Sequence, residues 1–300
     1  MTSKISGDNI SIIKQFCIFS FTTTTSFQGK KENSNAATTT TQTMARIFIT
    51  GSSDGIGQSA AKLLSEQGHA VFLHARNSTR ASQALAAVPK ASGVVIGDLS
   101  TVADCKKLAA EANKAGPFDA VVHNAGLGLA TDGAKNADGV ASVFAVNSLA
   151  PFVLTALMEK PKRLLYVSSG LHMGGDESLE DVAWSERKAF NPPQAYNDTK
   201  MHNVLLANAV AKRWPEVQSC SLDPGWVKTK LGGEGAPGST DPPAKMIAAY
   251  AAGESVAGEK TGVYLNPGGV GSPHEATGKA EKQDRLLEIY EGISGVSLPK

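Results

Sequence analysis

Three features of the sequence predict an α/β domain of the doubly wound kind, a parallel sheet of seven strands with helices on both faces. Short β-branched runs alternate with amphipathic stretches from Ala45 onward. Glycines cluster after the first of these runs, in Gly51-Ser52-Ser53-Asp54-Gly55-Ile56-Gly57. Polar residues gather just past the later ones, as in Asp98-Leu99, Asn124-Ala125-Gly126, Ser168-Ser169 and Asp223-Pro224-Gly225. Such alternation implies parallel strands joined by right-handed crossovers. In sheets of this type the ligand lies outside the carboxyl ends of the strands, where the unusual residues stand.

The first strand, Ala45 to Thr50, runs into the glycine turn, and a helix pattern over Gln58 to Gln67 follows, with Ala61 and Leu64 on its apolar face and Gly68 as its stop. A glycine-lined turn that opens a helix brings the backbone close to a diphosphate and offers it unpaired N–H groups at the positive end of the helix dipole. The spacing is G-x-x-x-G-x-G, and the absence of a following lysine argues against a loop that hydrolyses nucleotides. A glycine-rich turn without a ligand is the competing reading of this motif alone.

Further strands are predicted at Ala70 to Ala75, Gly93 to Ile96, Phe118 to His123, Arg163 to Val167, Glu216 to Leu222 and Gly262 to Leu265. Helices are predicted from Thr79 to Ala87, Thr101 to Ala115 with Ser100 as cap, Ala137 to Met158 with a kink at Pro151, Ala195 to Arg213, and around Glu281 to Tyr290.

Composition narrows the function. The 300 residues carry a net charge of +1 without a basic block, so there is no electrostatic reason to bind nucleic acid or an anionic membrane, and no stretch has the length of a membrane span. Cys17, Cys105 and Cys220 are scattered and odd in number, and no two of the six histidines have helical metal-site spacing, so neither a disulfide framework nor a metal site is expected. A reduced, cytoplasmic compartment fits. Residues 1–43 differ in texture, with the low-complexity runs Thr22 to Thr25 and Thr38 to Thr41, and read as a disordered tail ahead of a single domain over residues 44–300. Organelle import through this leader is the weaker alternative, because no arginine precedes Arg46.

Tyr196-Asn197-Asp198-Thr199-Lys200 places a phenol and an ammonium on one helix face, one turn apart. A lysine cation there is expected to lower the phenol pKa and make it an acid–base group near neutral pH. Taken with Thr50-Gly51-(x)3-Gly55-x-Gly57, Asp98-Leu99, Asn124-Ala125-Gly126, Asn147, Ser169 and Pro224-Gly225, in that order, the chain from Met44 to Lys300 resembles the short-chain dehydrogenase/reductase family, in particular its retinol-dehydrogenase-like and carbonyl-reductase-like branches.

The resemblance implies a Rossmann-type domain that binds NAD(P) and moves a hydride between the nicotinamide and the carbonyl or alcohol group of a small-molecule substrate. It implies Tyr196 as general acid or base, Ser169 as hydrogen-bond donor to the reacting oxygen, Lys200 as ribose anchor and tuner of the tyrosine, and Asn147 as anchor for a proton-relay water. For the cofactor it implies the turn residues Gly51, Ser53, Gly55, Ile56 and Gly57, with Asp98 and Leu99 at the adenine and Asn124, Ala125 and Gly126 at its ribose. Pro224, Gly225, Val227 and Thr229 would flank the nicotinamide. Ser168 competes with Ser169 for the substrate side, since neighbours at a strand end face opposite ways. Residues Leu171 to Pro193 form a long insert read either as a lid beside the substrate or as a plain surface loop, and His172 and His202 are read as lying outside the chemistry.

The end of the second strand, Leu73-His74-Ala75-Arg76-Asn77, lacks the carboxylate that would accept the ribose hydroxyls of NAD, and Arg76 is placed to fork onto a 2'-phosphate, so NADPH is expected over NADH; Asp54 is the contrary sign. A nucleotide-binding regulator without turnover is the alternative function, which the intact set of Asn147, Ser169, Tyr196 and Lys200 disfavours. A homo-oligomer is compatible with the sequence. If residues 1–43 add too little apolar surface to repay their ordering, a chain started at Met44 should match the full chain in melting temperature and turnover; an insoluble or inactive truncation would show that they contribute to the domain.

Overall fold

Strand β1 (Arg46–Ile49) pairs in parallel with β2 (Ala70–Ala75) on one side and β4 (Ala120–His123) on the other, and this double pairing sets the frame of the sheet. The computed structural model describes residues 43–186 and 189–300; the tail reading for the N-terminal residues lies outside the described residues. With β3 (Gly93–Ile96), β5 (Arg163–Val167), β6 (Gln218–Leu222), a short strand β7 (Val256–Glu259), β8 (Val263–Asn266) and β9 (Gly269–Val270), the sheet order is β3-β2-β1-β4-β5-β6-β8-β9. The chain moves outward from β1 to β3, returns to β4 and then moves the other way. The order therefore reverses between β1 and β4, and a crevice at their carboxyl ends follows from the topology.

Helices cover both faces. The helix α1 (Gly55–Glu66) and the later helix α7 (Asp241–Ala252) bury Ala60, Ala61, Leu64, Ala244 and Ile247 against Ile47, Ile49 and Leu165, with α2 (Ser78–Ala87) at the edge through Ala84. On the other face lie α3 (Val102–Ala115), a short α4 (Ser142–Phe144), α5 (Ala150–Leu157), α6 (Pro192–Arg213) and α8 (Ala280–Ser294), packed over Phe48, Val121, Leu164 and Tyr166. Strands buried on both faces read as continuous apolar runs, which is why β1, β4 and β5 were legible. Among the described residues no helix is long and apolar enough to cross a membrane.

Several expectations are corrected. The sheet has eight strands, because the chain folds back after β8 and β9 pairs with it antiparallel; two residues carry no periodicity to read. Helix α7 starts with Pro242 and Pro243 in its first turn, where a missing N–H costs nothing, and was not predicted. Helix α6 likewise begins at Pro192 rather than Ala195, capped by the Asn191 side chain, which accepts from the Gln194 N–H at 3.2 Å.

The long helix expected from Ala137 to Met158 is instead α4, a wide π turn over Ala145–Leu149, and α5. Pro151 explains the change. It has no N–H to give the carbonyl four residues back, which is that of Asn147, so the α ladder opens at that residue.

The described part of the insert is more than a plain surface loop, since several of its side chains join the core. After a 3-10 turn (Gly170–Gly174), Leu179, Val182, Ala183 and Trp184 are buried in the core and Phe190 packs against Trp184 with ring centroids 5.3 Å apart. The buried Asp198 carboxylate on α6 ties the insert down, accepting from the Asp176 N–H at 2.8 Å, Trp184 Nε1 at 3.0 Å and Gln194 Nε2 at 2.8 Å.

One histidine joins three strand ends. Nδ1 of His74 accepts from the Gly51 N–H at 2.9 Å, Nε2 lies 2.9 Å from the Gly97 carbonyl, and the His74 N–H donates to Ser52 Oγ at 2.9 Å. A main-chain N–H only donates and a carbonyl only accepts, so the ring is neutral with its proton on Nε2. Burial pushes His74 down to about 4, against a smaller opposing pull from the Gly97 carbonyl and Asp98. In the unfolded chain this histidine titrates near 6.5, so below that pH the unfolded state takes up a proton that the native state refuses. Stability should be full above pH 6.5 and fall as the pH drops to 4, by about 3 kcal/mol from this residue. Urea midpoints between pH 7 and 4 check this, and His74→Asn should flatten the decline; an unchanged slope in that variant would remove His74 as its source.

Candidate active site

The glycine turn is pressed against the strip that follows β4. Gly51 has φ +62°, and a Cβ there would stand 2.7 Å from the Ala125 Cα; a Cβ on Gly57 would stand 2.4 Å from Asn124 Nδ2. Both positions therefore require glycine. Asn124 Nδ2 donates to the Thr50 carbonyl at 2.9 Å and the Gly51 carbonyl at 3.1 Å, while Thr50 Oγ1 accepts the N–H groups of Asn124 and Ala125, each at 3.0 Å. Asn124-Ala125 thus buttresses the turn.

Asp54 occupies the N-cap position of α1, yet its side chain caps nothing. It is drawn away by Arg80 Nη2 at 2.5 Å and Lys230 Nζ at 3.1 Å. Burial works against its ionisation, but these two cations hold its carboxyl below the usual carboxylate range. The first N–H groups of α1 are left without a side-chain acceptor, an arrangement that fits the diphosphate of a dinucleotide. Gly55, at φ +60°, leaves only the Thr229 methyl near its missing Cβ, at 3.4 Å, so the loop after β6 borders the same cradle.

At the ends of β5 and β6 the two serines part company. Ser168 is buried and its Oγ donates to the Lys200 carbonyl at 2.7 Å. Ser169 turns the other way and accepts the Leu171 N–H on its Oγ at 3.2 Å. Lys200 Nζ lies 5.4 Å from the Tyr196 ring centroid and donates to the Val167 carbonyl at 2.9 Å.

The expected lowering of the phenol pKa is not found. Burial pushes Tyr196 up to about 12, a hydrogen bond from Ser169 pulls it back in part, and Asp223 raises it further. The same burial pushes Lys200 down to about 8, opposed by Asp223. With Nζ engaged by a carbonyl and water excluded, desolvation outweighs the lysine's influence on the phenol.

Asn147 is fully buried in the π turn. Its Oδ1 accepts from the Leu127 N–H at 2.7 Å, and its Nδ2 donates to the Leu127 carbonyl at 3.0 Å and to Thr199 Oγ1 at 3.2 Å. The side chain therefore clamps the loop after β4 to α6. Gly126 sits in this clamp, its missing Cβ 3.4 Å from Asn147 Oδ1.

The remaining expected residues spread around the crevice. Asp98 Oδ1 accepts the N–H groups of Leu99 at 2.7 Å and Ser100 at 2.9 Å, forming the turn after β3, and the Leu99 side chain is buried in the core. Pro224 and Gly225 follow β6, Asp223 Oδ1 accepting the Gly225 N–H at 2.8 Å, and Val227 bridges to Gly238. Ile56 is half-buried in the first turn of α1, and Arg76 is exposed past β2. Arg80 was not anticipated, although it reaches Ser53 Oγ at 3.0 Å. Its place four residues after Arg76, on the first turn of α2, was the available signal. His202 packs inside α6 between Phe144 and Tyr290. Among the described residues no group of three metal-ligating side chains occurs.

Comparison with known proteins agrees with this arrangement. Residues 45–163 match the family model described as short chain dehydrogenase. The chain is 51% identical over 261 residues to an uncharacterized oxidoreductase of Emericella nidulans, covering 85% of this chain and 99% of that one. It is 44% identical over 260 residues to a short-chain dehydrogenase of Gibberella zeae, again over 85% and 99%, and 30% identical over 200 residues to retinol dehydrogenase 12 of Bos taurus, over 62% of each. Among solved structures, a protein of Mycobacterium paratuberculosis superposes with a TM-score of 0.73 at 23% identity, over 85% of this chain and 95% of that one. A blue fluorescent protein from a metagenomic library, in complex with NADPH, superposes with a TM-score of 0.60 at 19% identity, over 74% and 96%. The chain belongs to the short-chain dehydrogenase/reductase family and is an oxidoreductase of alcohol and carbonyl groups.

Proposed function

We propose that the protein is an NADPH-dependent reductase of bulky apolar ketones or aldehydes, with Tyr196 as proton donor. The observation that carries this reading is the meeting of Ser169, Tyr196 and Lys200 at one strand end, beside a helix start left uncapped for an anion. A bound nicotinamide supplies and accepts the hydride. Tyr196 gives its phenolic proton to the carbonyl oxygen as negative charge develops there, and its raised pKa keeps that proton in place at neutral pH. Ser169 donates to the same oxygen; because its Oγ already accepts from Leu171, its own hydrogen is the group left to give. With the cofactor bound, Lys200 would hold the ribose hydroxyls and, through a water anchored at Asn147, would return a proton to Tyr196.

Substrate size is suggested by the rim. Leu129, Leu171, Met173, Trp226 and Leu231 are large apolar side chains left exposed on the loops that follow β4, β5 and β6, the loops that border Tyr196. Isolated exposed leucines are ordinary, but five large apolar side chains on the loops after neighbouring strands favour a large apolar partner. The likeness to a retinol dehydrogenase supports the same class. Buried free thiols at Cys105 and Cys220 fit a cytoplasmic setting.

Tyr196→Phe should abolish NADPH oxidation across a panel of aromatic ketones, retinoids and steroids while leaving NADPH affinity nearly unchanged, and Ser169→Ala should lose roughly 100-fold or more in kcat. Near wild-type turnover by the phenylalanine variant would sink the mechanism. Damage from Ser168→Ala alone would move the oxyanion donor to the neighbouring serine.

The preference for NADPH rests on charge at the adenine end. Asp54, the contrary sign in the sequence, is neutralised by Arg80 and Lys230, which leaves Arg76 and an excess of positive charge near Ser53. Arg76→Ala and Arg80→Ala should each lower kcat/KM for NADPH by about 10-fold to 150-fold, the worth of one charge-assisted contact, with little change for NADH. Equal losses with both cofactors, or a wild type that favours NADH, would overturn this assignment.

A further inference from the structure

His172 stands in the 3-10 turn just past β5, is 1% exposed, and belongs to none of the family's motifs identified above. Its two ring nitrogens have partners of opposite kind. Nε2 lies 3.0 Å from the His274 main-chain N, which can only donate, and Nδ1 lies 2.7 Å from the Ser169 carbonyl, which can only accept. One neutral tautomer satisfies both, with the proton on Nδ1. A protonated ring would set an N–H against the His274 N–H.

The third neighbour is thereby fixed as well. The Tyr264 hydroxyl is 3.3 Å from Nδ1, but that nitrogen carries the proton and has no lone pair to offer, so the phenol can only accept from it. The rings of His172 and Tyr264 pack with centroids 4.8 Å apart. Burial lowers the His172 pKa, with smaller raising effects from the Ser169 carbonyl and Asp223 and a lowering one from His274.

The Ser169 carbonyl receives two donors from the same residue, the His172 N–H at 3.0 Å and Nδ1 at 2.7 Å. Its Oγ receives the Leu171 N–H from the same turn. The serine backbone is therefore held on one side by a ring that is itself held by the segment after β9.

We infer that His172 is a positioning residue: held as the Nδ1–H tautomer by the His274 N–H, it donates from Nδ1 to the Ser169 carbonyl and so aims the Ser169 hydroxyl at the reacting oxygen. This rests on the proposed role of Ser169 as oxyanion donor. A misaim of the order of an ångström is enough to cost catalysis heavily.

Two variants of similar polarity separate the two bonds. Asn at 172 puts an amide N–H near the place of Nδ1 and keeps the bond to Ser169, whereas Gln puts an amide oxygen near the place of Nε2 and keeps the bond to His274. With the full chain and the ketone of the panel turned over fastest, H172Q should lose at least about 10-fold in kcat at unchanged NADPH affinity, and H172N should stay within about 3-fold of wild type. In a Ser169→Ala background H172Q should cost less than about 2-fold more, because its effect passes through that serine. The reverse order of the two variants, equal effects, or losses that multiply with Ser169→Ala would overturn the inference.

A damaging Ser169→Ala combined with any of those results would leave the functional reading standing, whereas a harmless Ser169→Ala would sink the assigned serine role itself. Nitrogen-15 NMR of histidine-labelled protein at pH 7 gives a readout without turnover. It should find Nδ1 protonated and Nε2 bare at residue 172, and an imidazolium or the opposite tautomer would also overturn the inference.

Discussion

The site depends on one close approach of backbone to backbone, where the turn after β1 lies against Asn124-Ala125 after β4. Gly51 and Gly57 leave no room for a Cβ there, and Thr50, Asn124 and the turn carbonyls exchange hydrogen bonds across the contact. This contact closes the gap at the reversal of strand order and fixes the direction in which α1 starts. His74 extends it sideways by joining the turn to the ends of β2 and β3. The cradle is consequently rigid where it must meet charge, and its free donors belong to the main chain, so no basic side chain is needed inside it.

Charge around the crevice is arranged by burial more than by pairing. Lys200 and Tyr196 are both taken out of water, which moves the lysine down to about 8 and the phenol up to about 12. Each shift favours the neutral form, and Asp223 offsets the lysine's while adding to the tyrosine's. The outcome is a phenol that holds its proton at neutral pH, suited to giving it up only when negative charge appears on a nearby oxygen.

The described part of the insert between β5 and α6 supports the site from the core. Trp184, Leu179 and Val182 join the core, and the buried Asp198 carboxylate binds the insert to the same helix turn that carries Tyr196 and Lys200. In the motif Tyr196-Asn197-Asp198-Thr199-Lys200 the intervening residues are engaged too. Thr199 receives the Asn147 clamp, and Asp198 anchors the insert on another face of the helix. Fixing one turn from several directions limits the freedom of the two residues on which proton transfer would depend.

Alternation of apolar runs with amphipathic stretches was enough to determine the doubly wound class, seven of the strands within a few residues, and the order of the motifs, because strands buried on two faces and helices buried on one leave distinct periods. The glycines at 51, 55 and 57 and the pair Tyr196 and Lys200 were legible for the same reason: each is a local requirement, of φ or of spacing, written in adjacent residues. What only the tertiary structure decided are relations between distant residues. Pro151 opened the helix at Asn147 because the proline falls four residues after it, and whether that breaks or bends a helix depends on what packs around it. Arg80 and Lys230 took the Asp54 side chain from its cap, His172 met Ser169, Tyr264 and His274 from three elements, and desolvation reversed the expected shift of Tyr196. Local spacing carries no record of which side chains are removed from water together, and that removal set the charges of this site.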